Sequence, residues 1–209
     1  MKIYDISYVL NSKTPIYPGN PHFSIKKTQK LPGDTSNVSE ITFGSHFATH
    51  IDSPYHVLEN GKSIDEFPAD RFMGMCNVLD FTSVLTEITE KDLKKKDMTQ
   101  NIVLLKTRNS IVGFKSFHED FIYMSDSGAN YLVENKIKFV GTDGPSIKKF
   151  RHHPDKVHSV LLENDCLIGE GLNLKNVPEG EYFFIGLPLK LEGSDASPSR
   201  IILVENLYG

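Results

Sequence analysis

Residues 45–56 read S-H-F-A-T-H-I-D-S-P-Y-H, and three of the chain's eight histidines, His46, His50 and His56, fall inside them together with Asp52. Neutral imidazole and carboxylate are the side chains that bind divalent first-row metals through N and O donors. In a straight strand, Cα atoms four residues apart lie about 13 Å from each other, at ~3.3 Å per residue. Two imidazoles on one ion, with bonds of about 2.1 Å, must be nearer than that. The segment therefore has to curl, and Gly44, Ala48 and Pro54 permit a curl. Each histidine alone reads as an ordinary surface or core residue; their clustering beside a proline turn points to a metal. One loop supplies at most three or four ligands, so distant residues must complete the site.

At 209 residues the chain is long enough for one domain, taken as residues 1–209, with a continuous core. Its 39% hydrophobic and 24% charged residues are globular proportions. A net charge of −4 argues against a general nucleic-acid binder, whose affinity rests on a positive surface. The run Lys94 to Lys96 reads as a solvated helix end. Cys76 and Cys166 stand far apart and read as reduced, partly buried small apolar residues of a cytosolic protein, neither paired nor metal-binding. The opening M-K-I-Y-D-I-S lacks the apolar run of a signal peptide, and no stretch reaches membrane-spanning length. A cytoplasmic protein with no membrane partner is expected.

Alternation in residues 1–9 predicts a strand buried on at least one face. T-P-I-Y-P-G-N-P at 14–21 excludes helix and interior strand, and makes a rigid mount for Tyr17. Further strands are predicted at 23–27 and 39–43, with the histidine stretch as a loop between strands. A buried strand at 76–81 precedes Thr89, whose spacing to Asp92 resembles a capping box. N-I-V-L-L-K-T at 101–107 is the clearest interior strand, its apolar run fitting burial on both faces. Ser125 opens a helix through Asn135, and a strand starts at Ile137, giving a βαβ-like crossover. K-K-F-R-H-H at 148–153 reads as an exposed basic cluster. Residues 155–164 fit a helix or an extended stretch equally. Short strands are predicted at 166–168, 182–189 and 201–204. The chain reads as one mixed α/β unit without repeats.

Other chemistries find little support. Ser45, Ser53 and Ser127 lie outside any G-x-S-x-G elbow, neither cysteine has a neighbouring histidine, and phosphate-binding glycine loops are absent. V-H-S-V-L-L-E-N-D-C-L-I-G-E-G-L at 157–172 offers His158, Glu163, Asp165 and Glu170 as completing ligands. Spacing does not choose among the acids.

H-F-A-T-H-I-D-S-P-Y-H resembles the H-x-G-T-H-x-D-x-P-x-H signature of the cyclase family of metal-dependent hydrolases, which contains bacterial kynurenine formamidase and isatin hydrolase. The later segment resembles that family's H-x-x-L-L…E-x-L-x-L stretch, which aligns His158 and Glu170. Y-P-G-N-P and F-V-G-T-D-G-P-S-I are weaker matches in the same order. The resemblance implies a swivelling β/β/α fold with a mixed sheet, assembled as a homodimer or homotetramer. It implies one or two divalent ions, with His46, His50 and Asp52 on one and Asp52, His158 and Glu170 on a second where two are held. Zinc is the first expectation and manganese the alternative. His56 matches the proton-transfer residue, and Tyr17 an aromatic substrate contact. The implied activity is hydrolysis of a small aryl formamide such as N-formylkynurenine, in tryptophan catabolism. The rivals are cleavage or cyclisation of another small amide, lactam or ester, and a non-catalytic binding protein. Ala48, Asn20 and Lys148 depart from the family's usual Gly, Asp and acid, which puts the substrate in more question than the metal.

Overall fold

The computed structural model describes residues 1–206. Along the chain the strands are β1 (Lys2–Asp5), β2 (Ser24–Gln29), β3 (Val38–Thr42), β4 (His50–Asp52), β5 (Met73–Asp80) and β6 (Glu87–Ile88). They continue as β7 (Ile102–Lys106), β8 (Tyr123–Met124), β9 (Phe139–Thr142), β10 (Leu167–Glu170), β11 (Gly180–Pro188) and β12 (Ala196–Glu205). The α-helices are α1 (Glu90–Leu93), α2 (Arg108–Val112), α3 (Asp126–Glu134) and α4 (Lys156–Glu163). One sheet runs β1-β12-β11-β5-β7-β9-β10-β4, and β12 also pairs with β4, which closes it on itself. Strands β5, β7, β9 and β10 are mutually parallel, and the other ladders of this sheet are antiparallel. The mixed sheet and α/β class expected from the sequence are found.

The apolar run of β7 shows how the layers arise. Side chains alternate across a strand. Ile102 and Leu104 therefore enter the core enclosed by the sheet, while Val103 and Leu105 join a second core beneath the helices. Phe139 and Val140 of β9 divide in the same way, as do Leu167 and Ile168 of β10. The second core is completed by Ala129 and Leu132 of α3 and by Val157, Leu161 and Leu162 of α4. Full burial of each such side chain contributes roughly 1.5–3 kcal/mol. Inside the closed sheet space is tight: a Cβ on Gly169 would lie 2.8 Å from the Phe139 ring.

The same alternation positions the polar residues. Ile51 of β4 enters the enclosed core, so His50 and Asp52 on either side of it point outward. On β10, Glu170 is two residues beyond Ile168 and shares its outer face. The antiparallel register sets Glu170 opposite His50 and Ile168 opposite Asp52.

Two local expectations are revised. The histidine stretch is not wholly a loop, because His50–Asp52 is a fully buried strand with a partner on each side. The expectation of one buried face at residues 1–9 is met: Ile6 is fully buried and Tyr4 packs against the core, while Ile3, on the opposite face of this edge strand, is 53% exposed. The open choice at 155–164 resolves as helix α4, capped by the Asp155 side chain, which accepts from the His158 backbone N–H. Helix α3 starts at Ser125 as predicted, and Thr89 and Asp92 form the capping box of α1. Lys95 and Lys96 pair with Asp92 and Glu179, as a solvated helix end should. Both cysteines are buried and free. Among the described residues no helix is long and apolar enough to cross a membrane.

Candidate active site

The curl demanded by the histidine spacing is made at Ala48, whose φ of 58° lies in the left-handed region. This turn points the Ala48 carbonyl back at His50, which donates its Nδ1–H to it at 3.0 Å. Gly171 packs so closely against that carbonyl that a side chain would collide with it. Thr49 fastens the turn by donating its hydroxyl to the Gly171 carbonyl at 2.6 Å, while its own backbone carbonyl accepts from Ser199 N–H at 3.0 Å. After β4, Pro54 begins a single 3-10 turn that carries His56 back over the strand. The His46 and His50 rings consequently lie 5.0 Å apart, and those of His46 and His56 4.2 Å.

These elements bring six predicted residues together. His46 Nδ1 is 2.8 Å from Asp52 Oδ1, and His50 Nε2 is 3.3 Å from the same oxygen and 3.6 Å from Glu170 Oε2. His158, in the first turn of α4, places Nε2 3.1 Å from Glu170 Oε1 and 3.6 Å from Asp52 Oδ2. Glu170 is held by Ile147 N–H, donating to Oε1 at 2.7 Å, and by the Ser146 hydroxyl at 3.2 Å. His56 borders the cluster, its ring 5.3 Å from that of His158. Glu163 and Asp165, equal candidates in sequence, are eliminated. Glu163 is exposed at the end of α4, and Asp165 pairs with Arg71 at 3.0 Å. Ser53 donates its hydroxyl to the Asp195 carbonyl, and Ser127 is bonded to Ser125, so neither is poised as a nucleophile.

The donor set fits a divalent cation. Asp52 is fully buried, yet among the described residues neither of its carboxylate oxygens, nor His50 Nε2, has a hydrogen-bond partner. Contacts near 3 Å surround them, but without hydrogen-bond alignment. A buried carboxylate left unsatisfied is costly, and a cation among imidazole nitrogens and carboxylate oxygens removes that cost. Two triads have one ligand atom from each residue close enough to share an ion: His46, Asp52 and His56, and His50, Asp52 and Glu170. Both contain Asp52.

Electrostatics agree. Burial disfavours charge on His46, but Asp52 and Asp195 outweigh it and push its pKa up to about 10. Burial likewise opposes ionisation of Asp52, and the imidazoles of His46 and His50 hold its carboxyl well below the usual range. His158 is shifted upward because Asp155, Asp52 and Glu170 overcome its burial. The cluster concentrates negative charge where positive charge is favoured.

The cluster forms the floor of a cleft of about 310 Å³ walled by Tyr17, Phe150, Pro145 and Lys148. Tyr17 stands edge-on to Phe150 and Phe117, with ring centroids at 5.6 and 5.3 Å. Asn20 reaches toward the His46 carbonyl at 3.5 Å. Lys148 does not belong to an exposed cluster, contrary to expectation. It turns inward and pairs at 2.7 Å with Asp155. Asp155 in turn receives His158 Nδ1–H at about 3 Å. A larger neighbouring cleft of about 380 Å³ shares only Pro145 with this one and includes none of the clustered residues.

Two functional-looking carboxylates escaped the sequence reading. Asp155 carried a signal, since an Asp three residues before His158 is an N-cap spacing. Asp195 carried none: it lies in the turn G-S-D-A-S-P and reaches His46 only because β12 pairs with β4.

Fold and residues together define a class, that of α/β proteins with a candidate metal centre on the outer face of a closed mixed sheet. Residues 4–149 match the family described as putative cyclase. A kynurenine formamidase of Erythrobacter litoralis (strain HTCC2594) is 33% identical over 205 residues, spanning 98% of this chain and 94% of the relative. A kynurenine formamidase of Salinibacter ruber (strain DSM 13855 / M31) is 30% identical over 206 residues, covering 97% of each. A solved structure described as a potential metal-dependent hydrolase with cyclase activity has a TM-score of 0.86 at 35% identity, covering 97% of this chain and 96% of that one. The chain belongs to the cyclase family.

Proposed function

We propose that the protein is a metal-dependent amidohydrolase that cleaves a small aryl formamide, with N-formylkynurenine as the leading substrate, to formate and the free amine. The observation that carries this reading is the buried cluster of Asp52, His50, His158 and Glu170, in which among the described residues the Asp52 carboxylate and His50 Nε2 have no hydrogen-bond partner, beneath an aromatic-walled cleft. The kynurenine formamidase relatives and the metal-dependent hydrolase neighbour support it.

In this reading His46, His50 and Asp52 hold one divalent ion, and Asp52, His158 and Glu170 hold a second. Imidazole and carboxylate donors suit zinc, with manganese as the alternative. Bound there, the ion supplies a Lewis acid and a source of hydroxide at neutral pH. The chain's own residues do the rest. Tyr17 and Phe150 present edges and faces against which an aryl ring packs, orienting the amide toward the cluster. His56 borders the cluster without being buried in it, so it can take a proton from attacking water. It returns that proton to the departing nitrogen, which leaves poorly as an anion. The molecule acts on a small-molecule substrate, as a homodimer or homotetramer.

Elemental analysis of protein purified without added metal, run beside formate-release assays on N-formylkynurenine and formanilide and a ring-opening assay that follows isatinate formation from isatin, tests the proposal. Stoichiometric zinc or manganese with preferred turnover of the formamides is expected. Preferred turnover of isatin would replace the formamidase reading. Protein that binds metal yet turns over none of these substrates would make it a binding protein.

A further inference from the structure

The three imidazoles read as ligands, His46, His50 and His158, do not face the centre with the same nitrogen. His50 turns Nε2 to Asp52 and Glu170 and donates Nδ1–H to the Ala48 carbonyl. His158 also turns Nε2 inward, with Nδ1 on Asp155. His46 is reversed. Its Nδ1 faces Asp52 Oδ1 at 2.8 Å, and its Nε2 lies 2.7 Å from Asp195 Oδ2 in an aligned hydrogen bond. A neutral imidazole carries a single N–H, and the acceptor of one nitrogen decides which nitrogen keeps a lone pair.

We propose that Asp195 is a positioning residue that fixes His46 as its Nε2–H tautomer, so that His46 binds the metal through Nδ1 while His50 and His158 bind through Nε2. The inference rests on the reading of His46 as a ligand. Asp195 is well placed for the task. Its backbone carbonyl accepts both the N–H and the hydroxyl of Ser53 at 2.9 Å, which ties it to the residue following β4. The next residue, Ala196, pairs with Asp52 across the β12–β4 ladder. The distance from Asp195 to His46 is thus set by the ladder that closes the sheet. Asp195 Oδ2 is 3.7 Å from His56 Nδ1, too far for a hydrogen bond, so its direct hold is on His46. Because the backbone carbonyl makes the structural contacts, removing the carboxylate separates orientation from folding.

The test is long-range 1H–15N spectroscopy of zinc-loaded, 15N-histidine-labelled protein, combined with zinc affinity by chelator competition. The His46 proton is expected on Nε2, with the metal-perturbed resonance on Nδ1. Asp195→Ala should weaken zinc binding about 10- to 100-fold, the usual span for losing an outer partner of a ligating histidine. Asp195→Asn, whose amide oxygen still accepts Nε2–H, should stay within roughly threefold of wild type. A His46 proton on Nδ1, or unweakened binding by Asp195→Ala, would overturn the inference alone. The wild-type tautomer decides the matter even where a variant fails to fold. Wild-type protein that takes up neither zinc nor manganese would overturn the metal reading and this inference with it.

Discussion

At the scale of single residues, His56 and Ala48 carry separable parts of the account. In the proposed reaction His56 is the proton carrier, and its 3-10 turn stands outside the buried strand. Replacing it with Ala should lower kcat about 10²- to 10⁴-fold, the span of general acid–base catalysis, with the metal content by elemental analysis unchanged. Loss of metal from that variant would make His56 a ligand, as its place in one of the two candidate triads allows. Ala48 holds a positive φ and sends its carbonyl to His50. Glycine there relieves a left-handed cost of about 1–2 kcal/mol but loses a buried methyl and rigidity of similar size. Ala48→Gly should therefore stay within about 1 kcal/mol of wild type in urea unfolding. Ala48→Val, with a β-branched side chain at φ 58°, should lose about 2 kcal/mol or more. A well-tolerated valine would show that the turn is not rigid. The need for a curl was legible in the four-residue histidine spacing; that Ala48 makes it in a left-handed conformation was not, because Ala rarely adopts one.

At the scale of elements, α4 and β10 present His158 and Glu170 together. Asp155 links both roles of α4, capping its N-terminus and accepting His158 Nδ1–H. Asp155→Ala should lower stability by about 0.5–2 kcal/mol in chelator-treated protein, as loss of a cap does. It should also weaken zinc binding by about 10- to 100-fold. Stability lost without any change in affinity would leave Asp155 as a cap only. Lys148, a departure from the resembled family pattern, walls the cleft and turns to Asp155, so it also bears on how His158 is held. The apolar run of β7 was readable because both of its faces are covered. The alternation at residues 1–9 was readable too, with Ile6 buried and Tyr4 against the core while Ile3 faces away on this edge strand. Glu170 could not be told from Glu163 or Asp165 by spacing; only the strand register does that.

At the scale of the whole molecule, closure of the sheet joins residues that no local pattern connects. The pairing of His50 with Pro198, and the approach of Asp195 to His46, come from two ends of the chain and leave no periodic trace in either. What was readable from a distance was the family resemblance, which named all six clustered residues before any contact was seen. The two layers of core also shield the thiols. Burial pushes the Cys166 thiol up to about 12, and Cys76 likewise. A raised thiol pKa means the protonated, unreactive form persists through pH 8 in the folded state, whereas an unfolded thiol near 8.5 begins to ionise there. Iodoacetamide at pH 8 should therefore leave both cysteines unmodified in folded protein and label both in urea; rapid labelling of the native protein would contradict the packing.

The central claim is that the outward faces of β4 and β10, with α4 above them, hold a divalent cation. Anomalous scattering at the zinc edge from crystals grown with zinc measures this directly. A peak in contact with Asp52, between His50 and the His158–Glu170 pair, is the predicted result. Crystals showing no peak there, or zinc only on surface histidines such as His152 and His153, would contradict it.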